Sequence, residues 1–478
     1  MSILRAVLAA FLIPLPLLAA GHDLSPSPTA RHQILPVVTG NGAGFMAAWL
    51  ELAPPSHELV LTQAVNANGE PIAGAGTSSD QPPVYSIAIA HSPSGALAVW
   101  TANDNVMAER LSPSGQSLST TLLAPGNGYP SDIAVAWNGN RYFVIWSTTS
   151  QLLGAFVEAD GSSTTPRAVF SEPSLTGHGP EELALAPAVA WDGQHFIVVF
   201  AERPNIICSI LCPIPDPDRF RVMRVSVDGE AVDPSPLVIS GTHLRAHIAS
   251  SGAESLIALD SRSGVSTLVV HNDQRGLTLD AEAPLFQWVS DIGSDVVWDG
   301  ATYTAGWRYA GGDASWIGAA HLARSGLPFD YRFVTAGTLR APWGRPSIAV
   351  SDSGVTAFAV SEGTAASSFD RARLYLSSEL APMPPPPPAP RNVVSYFGGI
   401  AARIDWQSDP ADGFVIEWSR DFGKDWSFYQ MVPGNARTTT VYASVGNQFR
   451  VRAFGPGGVS DGTVTSIGSL QRSRAARR

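Results

Sequence analysis

The side chains best suited to ligand binding lie in one short segment, Cys208–Phe220. It holds Asp216, Asp218 and Arg219, two carboxylates and a guanidinium within four positions. Carboxylate oxygens are the ligands that Ca²⁺ prefers, so this segment is a candidate ligand-binding loop and a candidate Ca²⁺ site. We predict that Cys208 and Cys212, the only cysteines, form a local disulfide in an oxidising compartment. The alternative, half of a metal site, is disfavoured because no His, Asp or Glu lies between or just before them and the spacing is not Cys-x-x-Cys.

The ten histidines are scattered, and the nearest pair is His243 and His247. Residues four apart share a face on a strand or a helix, so this pair is half of a candidate metal site. The sequence nominates no further ligands, and the metal stays unknown. Gly-x-Ser-x-Gly, His-Glu-x-x-His, P-loop and dinucleotide motifs do not occur. We therefore predict no catalytic residues and no cofactor other than the candidate Ca²⁺.

The composition favours an all-β protein with many turns. Only 15% of the 478 residues are charged, against roughly 25% in an average soluble domain, and glycine (44) and proline (38) are abundant. Disorder is excluded because 45% of the residues are apolar, and glycine and proline interrupt every stretch long enough for a helical bundle. The net charge of −11 argues against nucleic-acid binding.

Residues 1–20 have the pattern of a secretory signal peptide. Arg5 precedes an apolar stretch, and Ala19 and Ala20 are small residues suited to cleavage. The alternative, a membrane anchor, is disfavoured because the apolar stretch is short and contains two prolines. No later stretch is apolar enough to span a bilayer. We predict a secreted or periplasmic protein.

Three segments of the chain resemble one another: residues 133–146, 187–200 and 294–307. Each has an alternating apolar run, then Trp-Asn-Gly or Trp-Asp-Gly, then a second run that ends on an aromatic residue. Asn-Gly or Asp-Gly between two alternating runs predicts a β-hairpin with a type I′ turn. The strand-end tryptophans are expected to pack between neighbouring repeats.

Weaker copies extend the repeat along residues 37–360. The glycines of the first turn lie 44 to 59 residues apart, and a second glycine turn follows in most units. These glycines are Gly42, Gly95, Gly139, Gly193, Gly252, Gly300 and Gly354. Each unit therefore contains four strands, which is typical of a β-propeller blade. We predict seven blades, with six to eight as the range.

The last unit is followed by prolines before a fourth strand can form. Residues near 24–31, ahead of the first unit, are free to supply that strand and remove an exposed sheet edge. The fourth unit is the longest because it contains the Cys208–Phe220 segment. Insertions in repeat proteins gather on one binding face, so this segment is our choice for a recognition loop.

Seven prolines among residues 382–390 predict a semi-rigid polyproline spacer. Beyond it, Trp406, the Phe414-x-Ile-x-Trp418 run and the Phe449-Arg-Val-Arg-Ala run alternate as strands do. This module resembles a fibronectin type III domain, which implies an immunoglobulin-like β-sandwich. Asn447 stands where that family has its corner tyrosine. Residues 419–426 resemble the Asp-box turn of sialidase-type propellers, which is a structural hairpin.

These observations predict five parts of an all-β chain. They are a signal peptide (1–20), a β-propeller (21–380), a proline-rich linker (381–390), a fibronectin type III-like domain (391–470) and a basic tail (471–478). The build resembles secreted bacterial repeat proteins. We expect a non-catalytic monomer that binds an extracellular protein or polysaccharide through propeller loops, with the C-terminal module as spacer or attachment. The alternative is a glycan-active hydrolase or lyase with its site in the propeller channel.

Overall fold

The fold is described from a computed structural model of the chain. The described residues are 21–26, 30–53, 57–81, 83–126, 132–148, 151–171, 182–204, 219–241, 243–261, 264–273, 275–287, 293–311, 314–336, 345–363, 369–382, 386–398, 400–411, 413–420, 422–423, 426–455 and 458–467. Within these ranges the chain is all-β, with one 3-10 turn at Ser377–Glu379. The predicted signal peptide, the basic tail, Cys208, Cys212, Asp216 and Asp218 lie outside them, so the disulfide and the Ca²⁺ site stay predictions.

The strands follow one another in antiparallel groups of four, as the repeat predicts. After β1 (His22–Asp23), sheet 1 contains β2 (Gln33–Asn41), β3 (Gly44–Ala53), β4 (His57–Val65) and β5 (Pro71–Gln81). Sheet 2 contains β6 (Val84–Ser92), β7 (Gly95–Ala102), β8 (Asn105–Leu111) and β9 (Ser117–Ala124). Sheet 3 contains β10 (Ile133–Trp137), β11 (Arg141–Ser147), β12 (Gln151–Glu158) and β13 (Arg167–Ser171). Sheet 4 contains β14 (Glu182–Trp191), β15 (Phe196–Pro204), β16 (Arg219–Val225) and β17 (Leu237–Ser240).

The next three sheets vary this plan at their outer edges. Sheet 5 contains β18 (His243–Ser250), β19 (Glu254–Ser261), β20 (Gly264–Asp273) and two short outer strands, β21 (Gly276–Leu279) and β22 (Ala283–Gln287). Sheet 6 contains β23 (Ser294–Trp298), β24 (Tyr303–Gly311), β25 (Ala314–Leu322) and β26 (Pro328–Ala336). Sheet 7 contains β27 (Ser347–Val350), β28 (Thr356–Gly363) and β29 (Asp370–Leu376), and its fourth strand is β1. The chain then adds β30 (Ala381–Pro382) to the edge of sheet 6.

Each of these sheets shares a buried core with the sheet before it. Trp100 of sheet 2 packs in one core with Met46 of sheet 1, and Trp307 of sheet 6 packs with Leu256 of sheet 5. Trp49 of sheet 1 packs with Leu374 of sheet 7, which closes the circle. The sheets therefore form a ring, the arrangement of a β-propeller. The predicted packing role is confirmed for four tryptophans that are no more than 2% exposed: Trp49, Trp100, Trp146 and Trp307.

The Trp-Asn-Gly and Trp-Asp-Gly hairpins are confirmed, but their turn type is not the predicted one. A type I′ turn needs a positive φ at both central residues; Gly139 has φ 94°, whereas Asn138 is not among the described residues with positive φ. Instead, the Asn138 side-chain oxygen accepts hydrogen bonds from the N–H groups of Asn140 and Arg141. Asp192 and Asp299 do the same in the equivalent turns. The short polar side chain thus replaces a backbone acceptor.

The segment ahead of the first repeat supplies the missing strand of the last one, as predicted. His22 and Asp23 pair with Leu374 and Arg373, and the Leu24 N–H donates a hydrogen bond to the Ala372 carbonyl at 3.0 Å. The paired residues begin two positions before the predicted 24–31. Leu24 is fully buried in the core shared by sheets 7 and 1, so this short strand joins the two ends of the ring.

The remaining strands form two sheets that face each other across a second core. Sheet 8 contains β31 (Arg391–Phe397), β32 (Ala401–Gln407) and β35 (Thr438–Tyr442). Sheet 9 contains β33 (Gly413–Ser419), β34 (Ser427–Pro433), β36 (Gln448–Gly455), β37 (Gly458–Val459) and β38 (Thr463–Ser466). The alternating positions predicted to face inward, including Trp406, Phe414 and Phe449, lie in this core. The Asn447 side-chain oxygen accepts from the Ser444 N–H at 2.6 Å, a local tie where the corner tyrosine is missing.

The two-sheet module packs against the ring. Val415 and Phe454, on the outer face of sheet 9, lie in the same buried core as Leu285 and Phe286 of sheet 5. The proline-rich segment, whose first residues pair with sheet 6, therefore does not hold the module away from the ring. The prediction of a spacer was wrong because it considered only the stiffness of the prolines. It left out the apolar outer face of sheet 9, whose burial against the ring is favourable.

Candidate ligand-binding site at the propeller channel

The first strand of each sheet in the ring lies next to the first strands of the neighbouring sheets, and the strand of sheet 7 lies next to that of sheet 1. These strands therefore line a central channel. We call the end where they begin the entry end, and the end where they run into the Asn or Asp turns the turn end. Because all seven strands run the same way, residues early in each first strand meet at the entry end.

Five charged or titratable residues gather toward the entry end, and we call them the mouth cluster. Arg245 and His247 lie on β18, Asp260 lies on β19, Asp295 is the second residue of β23, and Arg345 lies two residues before β27. They come from three consecutive sheets. Asp295 keeps 21% and His247 keeps 13% of its side-chain surface exposed, so both line the channel and not a dry core.

His247 and Arg345 are in direct contact. Arg345 Nη1 lies 2.7 Å from His247 Nε2. Burial, with Arg345 and Arg245 adding to it, lowers the pKa of His247 well below its ordinary value. The imidazole is therefore neutral near pH 7, and it can accept the hydrogen bond that the guanidinium donates.

The two carboxylates of the cluster are held differently. Asp295 Oδ2 accepts from the Ile348 N–H of sheet 7, and Oδ1 accepts from the Val296 N–H, each at 2.9 Å. Asp260 Oδ2 accepts from the Ser294 N–H at 3.2 Å. Burial raises the pKa of Asp295, and it raises the pKa of the fully buried Asp260 to about 6 although Ser294 and the arginines oppose it. A buried carboxyl with a raised pKa is a proton donor in the neutral range.

Both arginines keep hydrogen-bonding capacity for a ligand. Arg345 contacts His247 and interacts electrostatically with Asp295 and Asp260, and Arg245 is exposed. Each guanidinium carries five N–H donors in a planar fork that matches carboxylates and vicinal hydroxyls. The mouth cluster thus combines unsaturated donors with carboxylate acceptors.

At the turn end the channel opens into a depression of about 300 Å³. Polar and apolar groups line it in similar measure, with His91, Trp137 and Trp298 as the larger side chains. Trp137 packs against Tyr142 and Trp298 packs against Tyr303, both in tilted geometry, with ring centroids 4.7 and 4.8 Å apart. Burial lowers the pKa of His91, although Asp352 opposes it, so the imidazole is neutral near pH 7.

The structure does not bring the sequence-predicted site residues together. Arg219 begins β16, and its Nε lies 2.9 Å from Oε2 of the fully buried Glu202, so its charge is engaged within sheet 4. His243 contacts Glu282 at 3.3 Å, whereas His247 faces Arg345. A register shift between His243 and Arg245 separates the pair, so the two histidines do not form one metal site. In the described part of the chain, no group of three or more potential metal ligands occurs.

Sequence reasoning missed most of the mouth cluster. Asp295 and Arg345 belong to sheets 6 and 7 and lie about 50 positions apart, and neither belongs to a recognised motif. Their position in the repeat could have identified them. Asp295 lies at the start of the apolar first strand of its repeat, and Arg345 lies just before the first strand of the next. In a ring of repeats, that position always faces the entry end.

Tyr375 and Glu362 form a pair on sheet 7 that superficially suits nucleophilic chemistry. The Tyr375 hydroxyl donates to Glu362 Oε2 at 2.5 Å, and Arg373 lies 3.7 Å from the same oxygen. Tyr375 is only 1% exposed, and burial with the neighbouring carboxylate raises its pKa far above the neutral range. The phenol stays protonated, so the pair stabilises the sheet and does not supply a phenolate nucleophile.

No protein-family model matches the chain, and no curated protein matches it. Several solved structures are similar to the chain at low identity. The β-propeller domain of the Trilobed protease from Pyrococcus furiosus, which has an open velcro topology, is 9% identical with a TM-score of 0.43, over 74% of this chain and 98% of that one. A prolyl endopeptidase (15%, TM-score 0.42) matches over 89% and 54%, and the Dos1 propeller (10%, TM-score 0.37) over 92% and 93%.

The order of its sheets and the cores between them make the chain an all-β protein of repeated four-stranded sheets arranged as in a β-propeller. The matched structures include enzymes and proteins of other kinds. Across the described ranges, no helix has the length and apolar character needed to cross a membrane.

Proposed function

We propose that this protein is an exported, non-catalytic recognition protein that binds an extracellular polysaccharide or protein at the entry end of its channel. The carrying observation is the pair Arg245 and Arg345, two guanidinium groups at one channel mouth beside the carboxyl groups of Asp260 and Asp295. The hydrogen bonds of the other cluster members favour a binding role over a role in proton transfer. His247 is engaged by Arg345, and both Asp295 oxygens already accept backbone hydrogen bonds.

The proposal includes the finer architecture. We infer a seven-bladed propeller made of sheets 1 to 7, and the cores shared between successive sheets support that number. Sheets 8 and 9 are proposed as a fibronectin type III-like domain that attaches to the ring. Residues 1–20 are proposed as a signal peptide, which implies a secreted or periplasmic protein, and the protein is proposed to be a monomer. The Cys208–Phe220 segment joins β15 to β16 and is proposed to contribute to the same face.

The test is binding to immobilised alginate, polygalacturonate, chitin and cellulose, together with a printed glycan array. We expect the protein to bind at least one acidic glycan, and we expect Arg345→Ala to weaken that binding about tenfold or more, since charge-assisted hydrogen bonds are lost. Arg167→Ala is the matched control, because Arg167 is an exposed arginine on the outer strand of sheet 3. Absence of binding, or equal loss in both variants, would overturn the proposal.

A specific observation favours a second candidate, a hydrolase or lyase acting on extracellular glycans. Asp260 and Asp295 both have raised pKa values and both interact electrostatically with Arg345, and glycosidases use a protonated and an ionised carboxyl as a pair. Turnover of chromogenic glycosides or of the same polysaccharides would support it. Such turnover must disappear in Asp260→Asn and Asp295→Asn and persist in Asp160→Asn, an exposed control.

A further inference from the structure

The turn between the third and fourth strands of a sheet rests against the preceding sheet in this ring. In sheet 6 this turn contains Gly326, which packs on Leu256, Thr267 and Val269 of sheet 5. The Thr267 hydroxyl donates to the Gly326 carbonyl at 2.9 Å. In sheet 4 the equivalent Gly229 packs on Phe156 of sheet 3. We call the surface that receives the turn the turn seat.

Sheet 7 cannot offer such a turn to sheet 6. Its fourth strand is β1, which comes from the opposite end of the described chain, so no hairpin links its third and fourth strands. After β29 the chain instead passes through the Ser377–Glu379 turn and pairs at the edge of sheet 6. Ser377, Ser378 and Leu380 cover only part of the turn seat of sheet 6. A cavity of about 480 Å³ is left between sheets 6 and 7, a size typical of small-molecule sites.

The lining of this cavity differs chemically from the filled seat of sheet 5. Leu256 pairs with Val269 across β19 and β20, and the equivalent pair on β24 and β25 is Thr304 with His321. Two polar side chains therefore replace two apolar ones where the turn is missing. The Thr304 hydroxyl is buried and has no hydrogen-bond partner among the described residues. A buried hydroxyl without a partner costs free energy, which a bound ligand would recover.

The rest of the cavity offers mixed hydrogen bonding beside an aromatic face. Asp299, Arg332 and Ser378 line it together with Phe358 and Leu380. His321 Nδ1 lies 3.2 Å from Asp330 Oδ2, which orients the imidazole. Phe329 stacks on that imidazole with an interplanar angle of 23°, yet it is 60% exposed. Phe329 does not itself line the cavity, but it stacks on His321, which does. Donors and acceptors in the cavity with an exposed ring beside His321 match a polyhydroxylated ring better than a charged or a purely apolar ligand.

We propose that the open turn seat of sheet 6 is a second binding site, which takes a single sugar residue of a glycan. The Thr304 hydroxyl and the polar groups around it bond to the sugar hydroxyls, and the Phe329 ring covers an apolar face of the sugar. The site lies at the turn end of the ring. It is therefore separate from the mouth cluster and does not depend on the function proposed for that cluster.

The test is saturation-transfer NMR and calorimetric titration of the whole protein with glucose, galactose, mannose, N-acetylglucosamine and glucuronate at millimolar concentration. We expect at least one sugar to bind. Thr304→Val should weaken that binding about three- to tenfold through the lost hydrogen bond, and Phe329→Ala should weaken it about tenfold.

The controls are Thr101→Val and Tyr85→Ala. Thr101 is likewise a buried threonine on the second strand of its sheet without a hydrogen-bond partner for its hydroxyl, and Tyr85 is an aromatic side chain exposed to 54%. Neither lines the cavity. The proposal is wrong if no sugar of the panel binds, or if the controls weaken binding as much as Thr304→Val and Phe329→Ala do. Since valine removes a buried hydroxyl at similar volume, the threonine variants should fold.

Discussion

His22 pairs with Leu374 in antiparallel register, so the first described strand completes the last sheet of the ring. The contact is short, with two paired residues, and Leu24 next to them is fully buried. Leu24→Ala should therefore lower the free energy of unfolding by about 2–5 kcal/mol, the usual cost of a cavity at a fully buried leucine. Urea denaturation measures this effect. Leu118→Ala, at an exposed leucine on β9, should change it by no more than about 0.5 kcal/mol.

Loss of the closing strand should open the ring without unfolding each sheet. Deletion of residues 22–26 exposes the edge of β29, and unpaired edges promote association. We expect the deleted protein to melt at lower temperature and to form concentration-dependent oligomers in analytical ultracentrifugation. A deletion variant that melts like the full chain and stays monomeric would contradict the closing role of β1.

Asp260 should make the protein less stable as pH rises. Its pKa is raised from 3.8 to about 6 in the folded protein, mainly by burial, so the folded state binds the proton more tightly than the unfolded state. The free energy of unfolding therefore falls as pH rises from about 4 to 6. Above pH 6 the folded protein bears the full free-energy cost of the buried Asp260 charge. Asp260→Asn should remove this cost and raise the free energy of unfolding at pH 7 by about 2–3 kcal/mol.

The measurement for Asp260 is the difference in unfolding free energy between the variant and the parent as a function of pH. That difference should vanish near pH 4, where both side chains are neutral. Asp160→Asn is the control, since Asp160 is exposed in a turn. An equal stabilisation at pH 4 and pH 7 would show that the buried charge is not its cause.

Much of the ring could be predicted from the sequence because the repeat itself encodes it. Alternation predicts strands, the Trp-Asn-Gly type of run predicts a hairpin, and the missing fourth strand of the last unit predicts a strand from the N-terminal side. The turn type could not be predicted in this way. Asn138 has two ways to support a turn, a positive φ or a side-chain acceptor, and the dipeptide does not distinguish them.

The candidate sites were far less predictable. Arg245, Asp295 and Arg345 meet because three first strands start at one end of a ring, and no local pattern marks that meeting. Thr304 becomes significant only because sheet 7 lacks the turn that covers the equivalent Leu256 elsewhere. Arg219 is an error of the opposite kind, a residue predicted to bind a ligand that does not. Its charged neighbours in the sequence suggested a ligand-binding role, whereas the structure pairs it with Glu202.

The docking of the C-terminal module on the ring should depend on Phe454. It is 4% exposed and shares a core with Phe286 of sheet 5. Phe454→Ala should lower the free energy of unfolding by about 3 kcal/mol, and it should increase the radius of gyration in small-angle scattering as the module separates from the ring. Val464→Ala, at a half-exposed valine of the same module, should change neither. An unchanged radius of gyration with Phe454→Ala would mean that other contacts hold the module.

Glu202 should be more important for stability than either of its arginine partners. It is fully buried, and it pairs with Arg219 Nε at 2.9 Å and with Arg221 Nε. Glu202→Gln leaves two partly buried guanidinium groups without their counter-charge, which should cost about 3–5 kcal/mol in urea denaturation. Arg219→Ala should cost about 1 kcal/mol, because Arg219 is one-third exposed and Arg221 still pairs with the carboxylate. Glu70→Gln, at an exposed turn, is the matched control. A larger loss from Arg219→Ala than from Glu202→Gln would contradict the view that the buried carboxylate organises this group.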